Sequence, residues 1–150
     1  ERSSILYSIL LGGSVLGPVF WGWLSDRTNR KPLIIGIITC SAVGYLMLNF
    51  VTGYLGLTAL LFFIGFMSQT VVTQSVLSDS VDKRQLDQTF GLYFTIGFTI
   101  SSFSSALFGY IVEIFSFYTG FSYIAVMIAV SMIPAFFIQE PRYLAKVSTI

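Results

Sequence analysis

The sequence predicts an all-α membrane protein with five transmembrane helices, on three observations. First, 55% of its 150 residues are hydrophobic and 10% charged, with a mean hydropathy of +0.82. Soluble domains carry about 25% charged residues, and a chain this short cannot hide so much apolar surface in one aqueous core. Second, five segments reach the roughly 20 apolar residues that a helix needs to cross a bilayer. None of them holds Lys or Arg, and their only acid is Glu113. Third, basic residues occupy alternate connections, as when successive loops lie on opposite sides of a membrane. Helix is the expected conformation because lipid leaves open strand edges unsatisfied, and the strict alternation of a barrel strand is absent.

The first span covers 5–24. Gly13 and Gly17 stand four apart, and Pro18, which removes a helical hydrogen bond, is expected to kink the helix. The second covers 33–51 and starts just after Pro32, a residue suited to a first helical turn. Gly36, Cys40 and Gly44 repeat the small-residue spacing there, which predicts close helix packing. The third covers 56–77 and carries Ser68, Gln69, Thr70, Thr73 and Gln74. Gln69 with Thr73, and Thr70 with Gln74, are four apart and share a helical face. The next loop mixes Asp79, Asp82 and Asp87 with Lys83 and Arg84, reading as a solvated turn with the charge to dock on a neighbouring loop. The fourth span covers 90–115, with Gly97, Ser101, Ser105 and Gly109 at every fourth position. This stripe is expected to be a helix-packing seam. Glu113, near its end, reads as a carboxylate snorkelling to the surface. The fifth covers 119–138 and is plainly apolar, as is most of the second.

Arg27, Arg30 and Lys31 follow the first span, Lys83 and Arg84 the third, and Arg142 and Lys146 the fifth; the loops at 52–55 and 116–118 hold no base. Seven of the eight Lys and Arg therefore lie on one side, Arg2 being the exception. The positive-inside rule makes that side cytoplasmic, with the N-terminus outside and the 139–150 tail inside. Trp21, Trp23, Tyr54, Tyr118 and Tyr143 fall near the expected membrane boundaries, as interfacial aromatics do.

Other classes find no support. A net charge of +1 gives no field for nucleic acid. One cysteine and no histidine leave no metal cluster and no internal disulfide, and Cys40 reads as a small packing residue. No nucleophile sits beside a base, so no enzyme is expected, and no phosphate-binding Gly-x-x-x-x-Gly-Lys-Ser/Thr sequence occurs. No cofactor is called for. The chain begins at Glu1 without a signal-peptide pattern, which reads as a processing boundary or a fragment start.

The sharpest motif runs from Gly22 to Lys31: Gly-Trp-Leu-Ser-Asp-Arg-Thr-Asn-Arg-Lys, at the junction of two spans. Gly22 allows close approach of a neighbouring helix. Asp26, near a helix C-terminus, faces the negative end of the dipole and needs a partner: Arg27, Arg30 or the positive N-terminal end of another helix. Asn29 suits a left-handed turn. This pattern resembles the loop signature of the major facilitator superfamily, Gly-x-Leu-x-Asp-Arg-x-Gly-Arg-Arg. Asn29 stands where the family usually has Gly, and Lys31 replaces the last Arg, which weakens bidentate pairing there.

The resemblance implies part of a twelve-helix bundle in the cell membrane, a secondary transporter moving a small solute by alternating access. It assigns a gating charge network to Gly22, Asp26, Arg27, Arg30 and Lys31. The third span lacks an Arg and the fourth lacks Gly-Pro, so the chain resembles helices eight to twelve of the family. The seventh helix and the N-terminal half would then be missing partners. By that correspondence the third span lines the substrate cavity, with Gln69, Thr73 and Gln74 as candidate contacts. The alternative for these residues is interhelical hydrogen bonding, worth roughly 0.6 kcal/mol per pair. The stripe on the fourth span would lie between halves, and the second and fifth spans would face lipid. A non-transporting membrane scaffold is the alternative function; it shares the spans and seams but has no solute cavity.

Overall fold

The computed structural model describes residues 2–68 and 70–138, and these are all-helical. In chain order they form α1 (Arg2–Ser25), α2 (Arg30–Met47), α3 (Tyr54–Phe66), α4 (Thr70–Ser80), a short 3-10 turn (Lys83–Gln85), α5 (Leu86–Ile114) and α6 (Phe117–Phe136). Five stretches among the described residues are long and apolar enough to cross a membrane, α3 and α4 together making the third. The tail at 139–150, with Tyr143, Arg142 and Lys146, lies outside the described residues.

The boundaries differ from the hydropathy pattern where hydrogen bonding decides them. α2 stops at Met47, short of residue 51, because the amides of Asn49 and Phe50 turn back to the carbonyls of Leu46 and Met47. Such three-residue closure tightens a last turn. α5 starts earlier than residue 90. Asp87 lies in its first turn, where the helix dipole favours an acid. α1 runs unbroken through Pro18.

The third span is the largest departure. Its helix halts at Phe66, Met67 and Ser68 are not helical, and α4 begins at Thr70. A broken helix frees carbonyls that lipid cannot satisfy. Here two side chains from neighbouring helices take them up. Trp21 Nε1 donates to the Phe66 carbonyl at 2.7 Å, and Ser41 Oγ donates to that of Met67 at 3.1 Å. Trp21 is thus a half-buried tie between α1 and α3, whereas Trp23, Tyr54 and Tyr118 stay exposed as interfacial aromatics would.

Two helix pairs dominate the packing. α1 and α3 meet backbone to backbone. A Cβ at Gly13 or Gly17 would run into the carbonyls of Phe62 and Phe66, and one at Gly65 into that of Leu10. Small residues permit this approach, which is what drives association between helices where no hydrophobic effect operates. α2 and α6 form the second pair. Ile34, Ile37 and Ile38 gather with Ala135, and Val72 of α4 closes the cluster. The second and fifth spans therefore bury one face against each other, leaving residues such as Val43, Met47, Val130 and Ile133 outward. Of the α2 stripe, only Gly44 is a close contact, against Ile64 and Phe63; Gly36 faces open space and Cys40 is exposed. α5 packs chiefly on α6, where Gly120 fits under Phe108 and Val112, and no residue of α5 is buried.

Candidate functional site

The loop from Gly22 to Lys31 collects its charges because the helix ends converge there. Three charges at this end of the bundle sit at the unfavourable end of their own helix dipoles. Asp26 follows the C-terminus of α1, Asp79 lies in the last turn of α4, and Arg30 opens α2. Acids are disfavoured at C-termini and cations at N-termini by about 0.3–1 kcal/mol each. Pairing across helices relieves all three at once. Arg30 Nη1 donates to Asp79 Oδ2, and its Nη2 stands 3.9 Å from Asp26 Oδ1. The Arg30 side chain is 14% exposed, whereas that of Asp26 is 73% exposed. The pair to Asp79 is the one that water screens less. The Nε of Arg30 is buried without a hydrogen-bond partner among the described residues.

Asp79 was legible only as part of a solvated turn. Two observations explain its place. Its carboxylate ends a half-helix whose far side, at Val72, is fully buried. The same half-helix packs on α1, where Val71 Cγ1 would lie 3.2 Å from a Cβ at Gly22. Gly22 and Arg30, at the two ends of the motif, thus both engage α4. Ser25, buried between them, donates from Oγ to the Gly22 carbonyl at 2.8 Å.

The remaining motif residues take other partners. The Arg27 guanidinium lies 4.3 Å over the Trp23 ring, a cation–π contact. Lys31 Nζ donates to the Phe136 carbonyl of α6 at 2.6 Å. Asn29 adopts φ −63° and ψ 127°, not the left-handed conformation expected of it. The chain turns earlier, with Arg27 and Thr28 amides bonding back to the Leu24 carbonyl. Asn29 then enters α2 in the extended geometry of an N-cap residue.

The polar face of the third span is divided. Gln69 lies outside the described residues. Thr73 and Gln74 lie half-buried on α4. A cavity of about 290 Å³ opens at the α3–α4 break, and its polar lining comes from Ser14, Ser41, Tyr45, Ser68, Thr70 and Ser131. Neither Thr73 nor Gln74 is among its walls. Ser14, Ser41, Tyr45 and Ser131 stand singly in apolar runs, and no spacing rule links them; the bundle does. On α5, Gly97, Ser101, Ser105 and Gly109 all face outward, and a Cβ at Gly97 or Gly109 would meet nothing within 4 Å. Gly97 and Ser101 line a groove of about 340 Å³ shared with Thr70 of α4. Among the described residues no three His, Cys or carboxylates gather as metal ligands.

An all-helical bundle with five crossing-length apolar helices and its charges collected at helix ends defines a polytopic integral membrane protein. The chain belongs to the Major Facilitator Superfamily, whose family model matches residues 2–149. It is also 27% identical over 128 residues to the bicyclomycin resistance protein homolog of Haemophilus influenzae (strain ATCC 51907 / DSM 11121 / KW20 / Rd). That match covers 84% of this chain and 32% of the relative, so the chain spans about a third of the relative's length.

Proposed function

We propose that this chain forms part of a secondary active transporter that moves a small solute by alternating access. The observation that carries the reading is Arg30, which ties the α1–α2 loop to both Asp26 and Asp79 and so clamps α4 at one end of the bundle. Each member is unfavourable at its own helix end, so the clamp is held by mutual pairing and opens when another partner is offered. That is the behaviour a gate requires. The basic end is the cytoplasmic face, so the N-terminus lies outside.

The chain works with the N-terminal half and the seventh helix of the complete transporter, and the Gly97–Gly109 face of α5 packs against them. Gln69, Thr73 and Gln74 contact the solute. The relative's printed name connects it with bicyclomycin, which makes bicyclomycin the first solute to assay. Cells expressing the full coding sequence are expected to accumulate less of it than cells expressing the Arg30→Ala variant at equal membrane abundance. Equal accumulation by Arg30→Ala and the parent, in the presence of measurable parental transport, removes the gate. Unchanged accumulation after Gln69→Leu with Thr73→Leu removes the solute contacts, and equal accumulation in cells with and without the parent protein favours a scaffold.

A further inference from the structure

Arg30 and Lys31 are adjacent in the first turn of α2 and point to different helices. Arg30 reaches the C-terminal end of α4, and Lys31 reaches that of α6. The last turn of α6 holds no basic residue of its own. The terminal carbonyls of a helix need partners from outside it, and its negative dipole end favours a cation. The Phe137 and Ile138 amides turn back to the carbonyls of Pro134 and Ala135. The Phe136 carbonyl takes the Lys31 ammonium at 2.6 Å, the short distance of a charge-assisted bond. At the opposite end of the same pair, Asn49 Nδ2 of the α2 terminus donates to Ser122 Oγ of α6 at 3.1 Å. Between the two polar ties lies the apolar contact of Ile34, Ile37, Ile38 and Ala135.

We propose that Lys31, reaching across from α2, is a cationic cap on the C-terminus of α6, and that with Asn49 it pins α2 and α6 into one rigid pair. The last two bases of the motif then have separate jobs. Arg30 joins this pair to α4, and Lys31 keeps the pair itself closed. The assignment does not depend on transport, so it stands or falls apart from the gate.

The test is amide hydrogen exchange on the protein expressed from its full coding sequence and purified in detergent. Lys31→Gln keeps a hydrogen-bond donor and removes the charge. It is expected to speed exchange at Phe137 and Ile138 about tenfold, the effect of losing one charge-assisted bond. Lys31→Arg is expected to restore protection. Arg30→Gln is expected to leave these two amides unchanged. Unaltered exchange in Lys31→Gln, failure of Lys31→Arg to protect, or equal loss in Arg30→Gln overturns the proposal. A second measurement needs no variant: in the parent protein Lys31 is expected to react more slowly than exposed Lys83 with an amine-directed acylating reagent. Equal rates overturn the cap.

Discussion

Arg30 illustrates how much a single side chain arbitrates here. A hydrogen bond to a charged group contributes about 1.5–3 kcal/mol, but the Asp79 side chain is 45% exposed, so solvent reduces this pair to about 1 kcal/mol. Asp26, more exposed and at 3.9 Å, contributes less. Asp79→Asn is therefore expected to destabilise the α2–α4 junction more than Asp26→Asn, and the exchange Arg30→Asp with Asp79→Arg to recover part of the loss. Thermal melts of the four proteins in detergent check the order; an Asp26→Asn effect equal to or above that of Asp79→Asn contradicts it. Trp21→Phe removes the donor to the Phe66 carbonyl beside the helix break. Leaving that acceptor unpaired is expected to cost about 1–3 kcal/mol, against a smaller loss for Trp23→Phe, whose exposed ring makes no such bond and only weakens its contact with Arg27. Equal melting temperatures for the two variants refute the tie.

At the scale of elements, glycines with the same spacing do different things. Gly13 and Gly17 are one four-residue step apart and Gly97 and Gly109 end a stripe with the same step, yet only the first two are pressed against another backbone. Gly17→Ala is expected to force α1 and α3 apart and lower stability by about 1–3 kcal/mol. Gly36→Ala, in open space on α2, is expected to raise it by up to about 1 kcal/mol through helix propensity alone. A melt in which both substitutions move stability in the same direction denies that the α1–α3 contact is as close as described. The α5 stripe gives a third case. A Cβ at Gly97 or Gly109 meets nothing within 4 Å among the described residues, so Gly97→Ala is expected to leave the stability of this bundle nearly unchanged.

For the whole molecule, the alternation of basic and neutral loops predicts sidedness. In a Cys40→Ser background, a cysteine at Thr28 is expected to be shielded from an impermeant thiol reagent added outside intact cells, and one at Thr52 to be labelled. Labelling of both positions, or of Thr28 alone, inverts or abolishes the proposed topology. Two helix pairs, α1 with α3 and α2 with α6, are joined at the basic end by Arg30 and in mid-bundle by Ser41 on the Met67 carbonyl. Separating the two pairs breaks both ties.

Hydropathy and charge by themselves determined the helical class, the number of crossings and the junction where the charges collect. They could do so because bilayer thickness and backbone satisfaction act on every residue of a span alike. The choice among partners was settled only by tertiary structure. Sequence offered Asp26 both Arg27 and Arg30; packing turned Arg27 onto Trp23 and brought Asp79, far along the chain, to Arg30. The break after Phe66 was likewise invisible, since an apolar run reads as continuous whether or not Trp21 and Ser41 stand ready to donate hydrogen bonds to its freed carbonyls. Periodicity describes one helix at a time, whereas a charge at a helix end or an unpaired carbonyl is satisfied by whichever neighbour the bundle delivers.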